Sequence, residues 1–148
     1  MIVKWPGKVK AKSTNNHISA FWDIMPTICE IAGAPVPENI DGISFLPTLI
    51  GNKQTSHDYL YWEFNENIHL EKTQYKQAIR KGKWKGVYYI LEDEFELYDL
   101  SVDVMESKNL VNDHPELVGE IKRLMMEAHE SSEIFPLTLD ELKVAGKI

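Results

Sequence analysis

The chain has 148 residues, 43% of them hydrophobic, and a formal net charge of −7. That length holds one real core, and the apolar share is that of a globular protein. The acidic balance excludes a nucleic-acid or polybasic membrane surface, and no apolar run reaches bilayer-spanning length.

In chain order, Met1-Ile2-Val3 reads as a strand, ended by a turn at Trp5-Pro6-Gly7 and followed by a basic patch of Lys4, Lys8, Lys10 and Lys12. No signal peptide is expected at Met1. Phe21, Ile24, Met25, Ile28, Ile31 and Ala32 then fall at helical spacing and predict one buried face. Asp23 is placed to cap that helix, Pro26 is tolerated in its first turn, and Gly33 stops it, with Pro35 and Pro37 beyond. Cys29 is the only cysteine, so it has no intrachain disulfide partner; its place on the apolar side predicts a buried thiol.

Residues 58–100 read as strands. Apolar and polar positions alternate over 59–64, and residues 74–81 and 83–91 form an antiparallel pair across Lys81-Gly82-Lys83. Residues 95–100 make a fourth short strand, and 99–112 a polar turn region. Pro115 opens a last helix with Leu117, Val118, Ile121, Leu124, Met125 and Ala128 on one face. Residues 132–148 have weak periodicity and read as a tail.

Little of this carries chemistry by spacing. His17, His57, His69, His114 and His129 form no zinc-ligand pattern. Glu92, Asp93, Glu94 and Glu96 read as a solvated hairpin loop, and Glu63 and Asp99 are not brought together by anything in the sequence. Lys81, Lys83 and Lys85 alternate, which puts them on one strand face. The plain reading is a solvated edge; the functional one is attraction for an anionic substrate.

Several motifs in order resemble one family. They are Ile2-Val3-Lys4-Trp5-Pro6-Gly7-Lys8, Asp23-Ile24-Met25-Pro26-Thr27, Asp41-Gly42-Ile43-Ser44-Phe45 and Tyr59-Leu60-Tyr61-Trp62-Glu63-Phe64. Gln77-Ala78-Ile79-Arg80-Lys81-Gly82-Lys83-Trp84-Lys85 and Glu96-Leu97-Tyr98-Asp99-Leu100 continue the series. The turn from Asp103 to Asn109 has Val104 where the family usually has Pro. Over about residues 1–136 the chain resembles the C-terminal segment of a sulfatase, most of all the bacterial arylsulfatase type. The resemblance implies hydrolysis of sulfate esters by a formylglycine made from a Cys/Ser-x-Pro-x-Arg motif, beside a divalent cation, usually calcium. Cys29 is followed by Glu30-Ile31-Ala32-Gly33 and does not match that motif. Catalytic and metal residues are therefore not expected in this chain, and calcium and formylglycine belong to the full-length enzyme.

The resemblance leaves substrate contacts as the candidate sites. In sulfatases the smaller C-terminal subdomain rims the cleft. Residues 57–69 carry aromatic, amide and carboxylate groups of the kind that stack on sugars and read hydroxyls, among them Tyr61, Glu63 and Asn67. The candidate substrate-binding residues are His17, His57, Trp62, Asn65 and His69, with seam packing as the plain alternative for Trp62.

The expected fold is α+β, a four-stranded antiparallel sheet with the C-terminal helix packed on it. A strand and helix from the large α/β domain of the alkaline phosphatase-like superfamily precede it. The expected domains are 1–51, a remnant of that large domain; 52–136, the C-terminal subdomain; and 137–148, a tail. Residues 1–50 are then expected to carry apolar surface that either the missing N-terminal half or self-association covers. The alternatives are a catalytically silent binding module from a truncated reading frame, or another member of the superfamily such as a phosphodiesterase. Full-length relatives are often exported to the periplasm or beyond the cell.

Overall fold

The computed structural model describes residues 1–66 and 74–148. Contacts divide the chain into two units, Met1–Asp58 and Tyr59–Ile148. The division falls later than residue 51 because residues 52–58 are tied back onto the first unit. The Gln54 amide donates to the Ser44 carbonyl at 2.9 Å, and its oxygen accepts from the Thr48 N–H at 3.1 Å.

In the first unit, residues 1–20 contain no strand, and Met1 and Ile2 are 81% and 99% exposed. The expected strand is absent because strand geometry needs a neighbouring ladder, and the segment has none beside it. The Trp5 turn does form: Val9 N–H donates to the Trp5 carbonyl at 2.9 Å, with Gly7 at φ +79°. A 3-10 turn over Phe21–Asp23 leads into α1, Ile24–Ala32. Gly33 ends α1 in the left-handed region at φ +66°. The predicted buried face is inverted. Pro26 and Thr27 are buried, whereas Met25, Ile28 and Ile31 are exposed. Cys29 is half-buried rather than buried.

The short helix α2, Leu46–Leu49, follows the irregular segment that contains Asp41 and Gly42. A Cβ on Gly42 would lie 2.4 Å from the Trp22 carbonyl oxygen, so only glycine lets this loop lie against the start of α1. The Thr27 hydroxyl locks the same approach. It donates to the Asp23 carbonyl at 2.6 Å and accepts from Phe45 N–H at 3.0 Å.

The second unit is the expected α+β layer pair. Strands β1 (Leu60–Glu66), β2 (Gln74–Lys81), β3 (Trp84–Tyr89) and β4 (Glu94–Asp99) form an antiparallel sheet in the order β1-β2-β3-β4. The register pairs Tyr61 with Ile79, Ile79 with Gly86, and Gly86 with Leu97. Side chains alternate across a sheet, so this row shares one face, and α3 (Pro115–Ala128) covers it. Ile121 and Met125 of α3 pack with Ile79, Phe95 and Leu97 in a core with almost no exposure.

Two features depart from expectation. Residues 137–148 are not a loose tail. Helix α4, Leu139–Val144, buries Leu142, and Leu137 is buried with it against Tyr75 and Ile90. Nor do the three lysines share a face, because the β2–β3 turn separates them. Lys81 pairs with Glu120 of α3, Lys83 with Asp99 at 2.6 Å, and Lys85 with Glu106 at 2.6 Å. Lys83 and the Ser101 hydroxyl hold the Asp99 carboxyl down at about 2.

The turn after β4 is built by two side chains. The Asp103 carboxylate accepts from Ser107 and Lys108 N–H, both at 2.9 Å. Asn109 then lies along the outer edge of β4. Its oxygen accepts from Leu97 N–H at 3.0 Å, and Leu110 N–H donates to the Leu97 carbonyl at 2.8 Å.

Candidate functional site

In the first unit, His17 lines a cleft of about 470 Å³. Asn15, Ser19 and Thr48 give that cleft polar groups, and Val3, Phe45 and Leu49 give it apolar walls. His57 is not part of that lining. Its Nε2 instead donates to Asp23 Oδ1 at 2.8 Å, with the His57 side chain 12% exposed and that of Asp23 1% exposed. The same Oδ1 accepts from Ile43 N–H at 2.8 Å, and Oδ2 accepts from Ala20 N–H at 2.7 Å. Asp23 therefore does not cap α1 with its side chain. It gathers three distant points of the chain around one buried carboxylate. An Asp–His pair can act as a base in catalysis, but one so fully occupied serves first as a clamp.

In the second unit, Trp62 lies on β1 opposite Ala78, on the sheet face away from Tyr61 and hence away from α3. It is 39% exposed and does not fill the seam under the helix. Asn65 donates to the Pro136 carbonyl at 3.0 Å, which fixes the end of β1 to the chain leading into α4. His69 lies outside the described residues.

Among the described residues of this unit, the most connected polar cluster escaped sequence reasoning. Gln77 Nε2 donates to the Tyr61 hydroxyl at 2.7 Å, and Tyr61 donates to Glu63 Oε1 at 2.7 Å. His129 Nδ1 reaches the same Oε1 at 2.6 Å, and its Nε2 reaches Glu141 Oε1 at 3.0 Å. The other Glu141 oxygen accepts from Leu137 and Thr138 N–H, both at 2.9 Å. Burial and the Glu63 carboxylate push the Tyr61 phenol far up. Burial opposes charge on His129, but its bonds to Glu63 and Glu141 outweigh it and raise the imidazole above its ordinary value. Burial likewise opposes charge on Glu141, yet the Leu137 and Thr138 amides hold its carboxyl well below the usual range. The partners of His129 lie 66 and 12 residues away, so no local spacing announces them. The Thr138-x-x-Glu141 capping box was the one local signal of ordered structure there.

Among the described residues, no group of three or more His, Cys, Asp or Glu side chains is placed to hold a metal ion. Cys29 sits inside α1, without the proline and arginine that a formylglycine precursor requires.

The family model for the C-terminal part of N-sulphoglucosamine sulphohydrolase matches residues 1–132. A Delta 4,5-hexuronate-2-O-sulfatase of Bacteroides thetaiotaomicron is 33% identical over 125 residues, which are 81% of this chain and 26% of that protein. An ulvan-active sulfatase of Formosa agariphila is 31% identical over 140 residues, covering 75% of this chain and 28% of its own length. A solved structure described as a complex with its substrate D-glucosamine-2-N,6-O-disulfate superposes with a TM-score of 0.73 at 27% identity, over 85% of this chain and 27% of that one. Another, described as a 2-O GAG sulfatase, gives 0.65 at 33% identity, over 71% and 23%. The chain thus spans about a quarter of the length of these relatives.

Proposed function

Because the chain belongs to the sulfatase family, we propose that it is the C-terminal part of a sulfuric ester hydrolase, which shapes the substrate cleft while the nucleophile and metal ligands come from the remaining part of the fold. The match of residues 1–132 to a sulfatase C-terminal model carries this reading. The relatives' names, a hexuronate sulfatase and an ulvan-active one, favour a sulfated carbohydrate as the substrate. His17, which lines a cleft of mixed polarity, and Trp62, whose residue is 39% exposed, are the candidates for direct sugar contact. His57 and Asn65 act indirectly, by holding the backbone around them. His69 keeps its place as a substrate-contact candidate from sequence.

The purified chain is expected to give no hydrolysis of an aryl sulfate above a buffer blank, with or without calcium. Co-expression with the N-terminal part of a sulfatase is expected to produce it. Turnover by the chain alone that survives repurification would overturn this reading. A chain that neither turns over nor complements would favour the silent binding module.

The same reading has a physical signature in solution. Met1, Ile2, Phe21, Met25, Ile28 and Ile31 expose large apolar side chains in one unit. Surface of this kind is covered by a partner or by a second copy. Light scattering of the isolated chain is expected to report a dimer or larger species. A dilute monomer with Ile24, Ile28 and Ile31 amides protected from exchange would contradict it.

A further inference from the structure

His129 stands between two carboxylates, with Glu63 Oε1 at 2.6 Å from Nδ1 and Glu141 Oε1 at 3.0 Å from Nε2. A neutral imidazole has one N–H and one lone pair. Only the imidazolium donates to both oxygens; the neutral ring would turn a lone pair on one of them. The His129 side chain is 9% exposed, and those of Glu63 and Glu141 are 21% and 17% exposed, so water replaces a lost bond poorly. The three residues belong to three elements: Glu63 to β1, His129 to the C-terminal end of α3, and Glu141 to α4. Among the described residues, the groups around the ring are the Tyr61 phenol and Glu63 of β1 and Glu141 of α4, with uncharged Gln77 from β2 behind Tyr61. On its own element the nearest carboxylates are Glu127, paired with Arg123 at 2.7 Å, and exposed Glu130.

We propose that protonated His129 is a clasp that holds the segment from Pro136 to Val144 on the sheet, and that loss of its proton releases α4. Glu141 makes the release cooperative. The oxygen that meets His129 and the oxygen that accepts from Leu137 and Thr138 share one side chain, so a ring that repels Glu141 also loosens the start of α4. Beyond Asn65's bond to the Pro136 carbonyl, the segment is seated by Leu137 and Leu142, which need that start in place.

The pH window follows from the two shifts. His129 has its folded value raised above an ordinary 6.5, so its contribution is complete below that value and is lost as pH rises through the higher folded one. Glu141 is lowered from 4.5, so its contribution is present above that value and is lost as pH falls. The clasp is closed between these limits and opens on the alkaline side.

Amide exchange of the intact chain, corrected for intrinsic rates, tests this. Leu142 N–H, bonded to the Thr138 carbonyl, and Ala145 N–H, bonded to that of Glu141, are the reporters; Ile79 and Gly86 in the sheet are the controls. Protection at the reporters is expected to fall about tenfold or more between about pH 6 and pH 9, while the controls hold. H129Q, neutral at every pH, is expected to show weaker reporter protection that no longer depends on pH. Nitrogen shifts of the His129 ring in the unmutated chain give a second measurement, and two N–H groups at about pH 6 are expected. A single N–H at that pH, level protection across the range, or the same fall in H129Q would overturn the clasp.

Discussion

Asp23→Ala is expected to cost the Met1–Asp58 unit about 3–5 kcal/mol, the order expected when a buried acceptor is removed from several donors at once. The reason lies in what is left behind. Ala20 N–H, Ile43 N–H and the His57 ring all lose their acceptor at once, in a place where Asp23 is almost fully buried. Each abandoned donor keeps its desolvation cost of about 1–3 kcal/mol. Exchange at Ile43 and Phe45 is expected to accelerate together, because Thr27 anchors Phe45 beside the same helix start. Asp23→Asn keeps the shape but turns a donor on one of these N–H groups, so it is expected to fall between. Amide exchange at Ile43 and Phe45 across a urea series checks this. An alanine variant within about 0.5 kcal/mol of the parent would show that Asp23 is an ordinary surface-type residue.

Gly86→Val is expected to be the most damaging single change in the sheet. A Cβ at Gly86 would lie 2.7 Å from Phe95 Cζ and 2.8 Å from Ile121 Cγ2, with no flexible chain end to give way. Overpacking of this kind costs about 1–3 kcal/mol for an alanine and more for a branched side chain. The contact also predicts a coupling. Ile121→Ala alone should cost about 2–5 kcal/mol by leaving a cavity. Together with Gly86→Ala, it should cost less than the sum of the two, by about 0.5–3 kcal/mol, because the new methyl enters the vacated space. Thermal or urea melts of the four proteins of this cycle measure it. Strict additivity would show that α3 shifts away from the sheet instead of sharing the space.

The second unit was the legible part of the sequence. The alternation near Trp62, the Lys81-Gly82-Lys83 turn and the Pro115 helix start are local signals, and each marks an element that forms. Its core was legible too, since Ile121 and Met125 lie where the helical spacing put them. What failed depended on partners far along the chain. Met1-Ile2-Val3 has strand composition, but a strand is made by its neighbour. The α1 stripe has helical spacing, but spacing does not say whether anything covers it. The lysine alternation misled because a turn between β2 and β3 resets which way each side chain points. Of the candidate site residues, His57 and Asn65 were found as polar groups near strand ends. Their engagement with Asp23 and the Pro136 carbonyl spans 34 and 71 residues, beyond any sequence window.

Asn109 has a consequence for how copies of this chain meet. By taking Leu97 N–H, and by placing Leu110 to fill the Leu97 carbonyl, it occupies the groups through which β4 would recruit a further strand. A bare edge is a template for fibril growth, and the central groups of this one are already paired. Crowded or partly unfolded copies then have little to extend along β4. Self-association of the kind proposed for the apolar side chains of the first unit would then not be extended by strand addition along that edge.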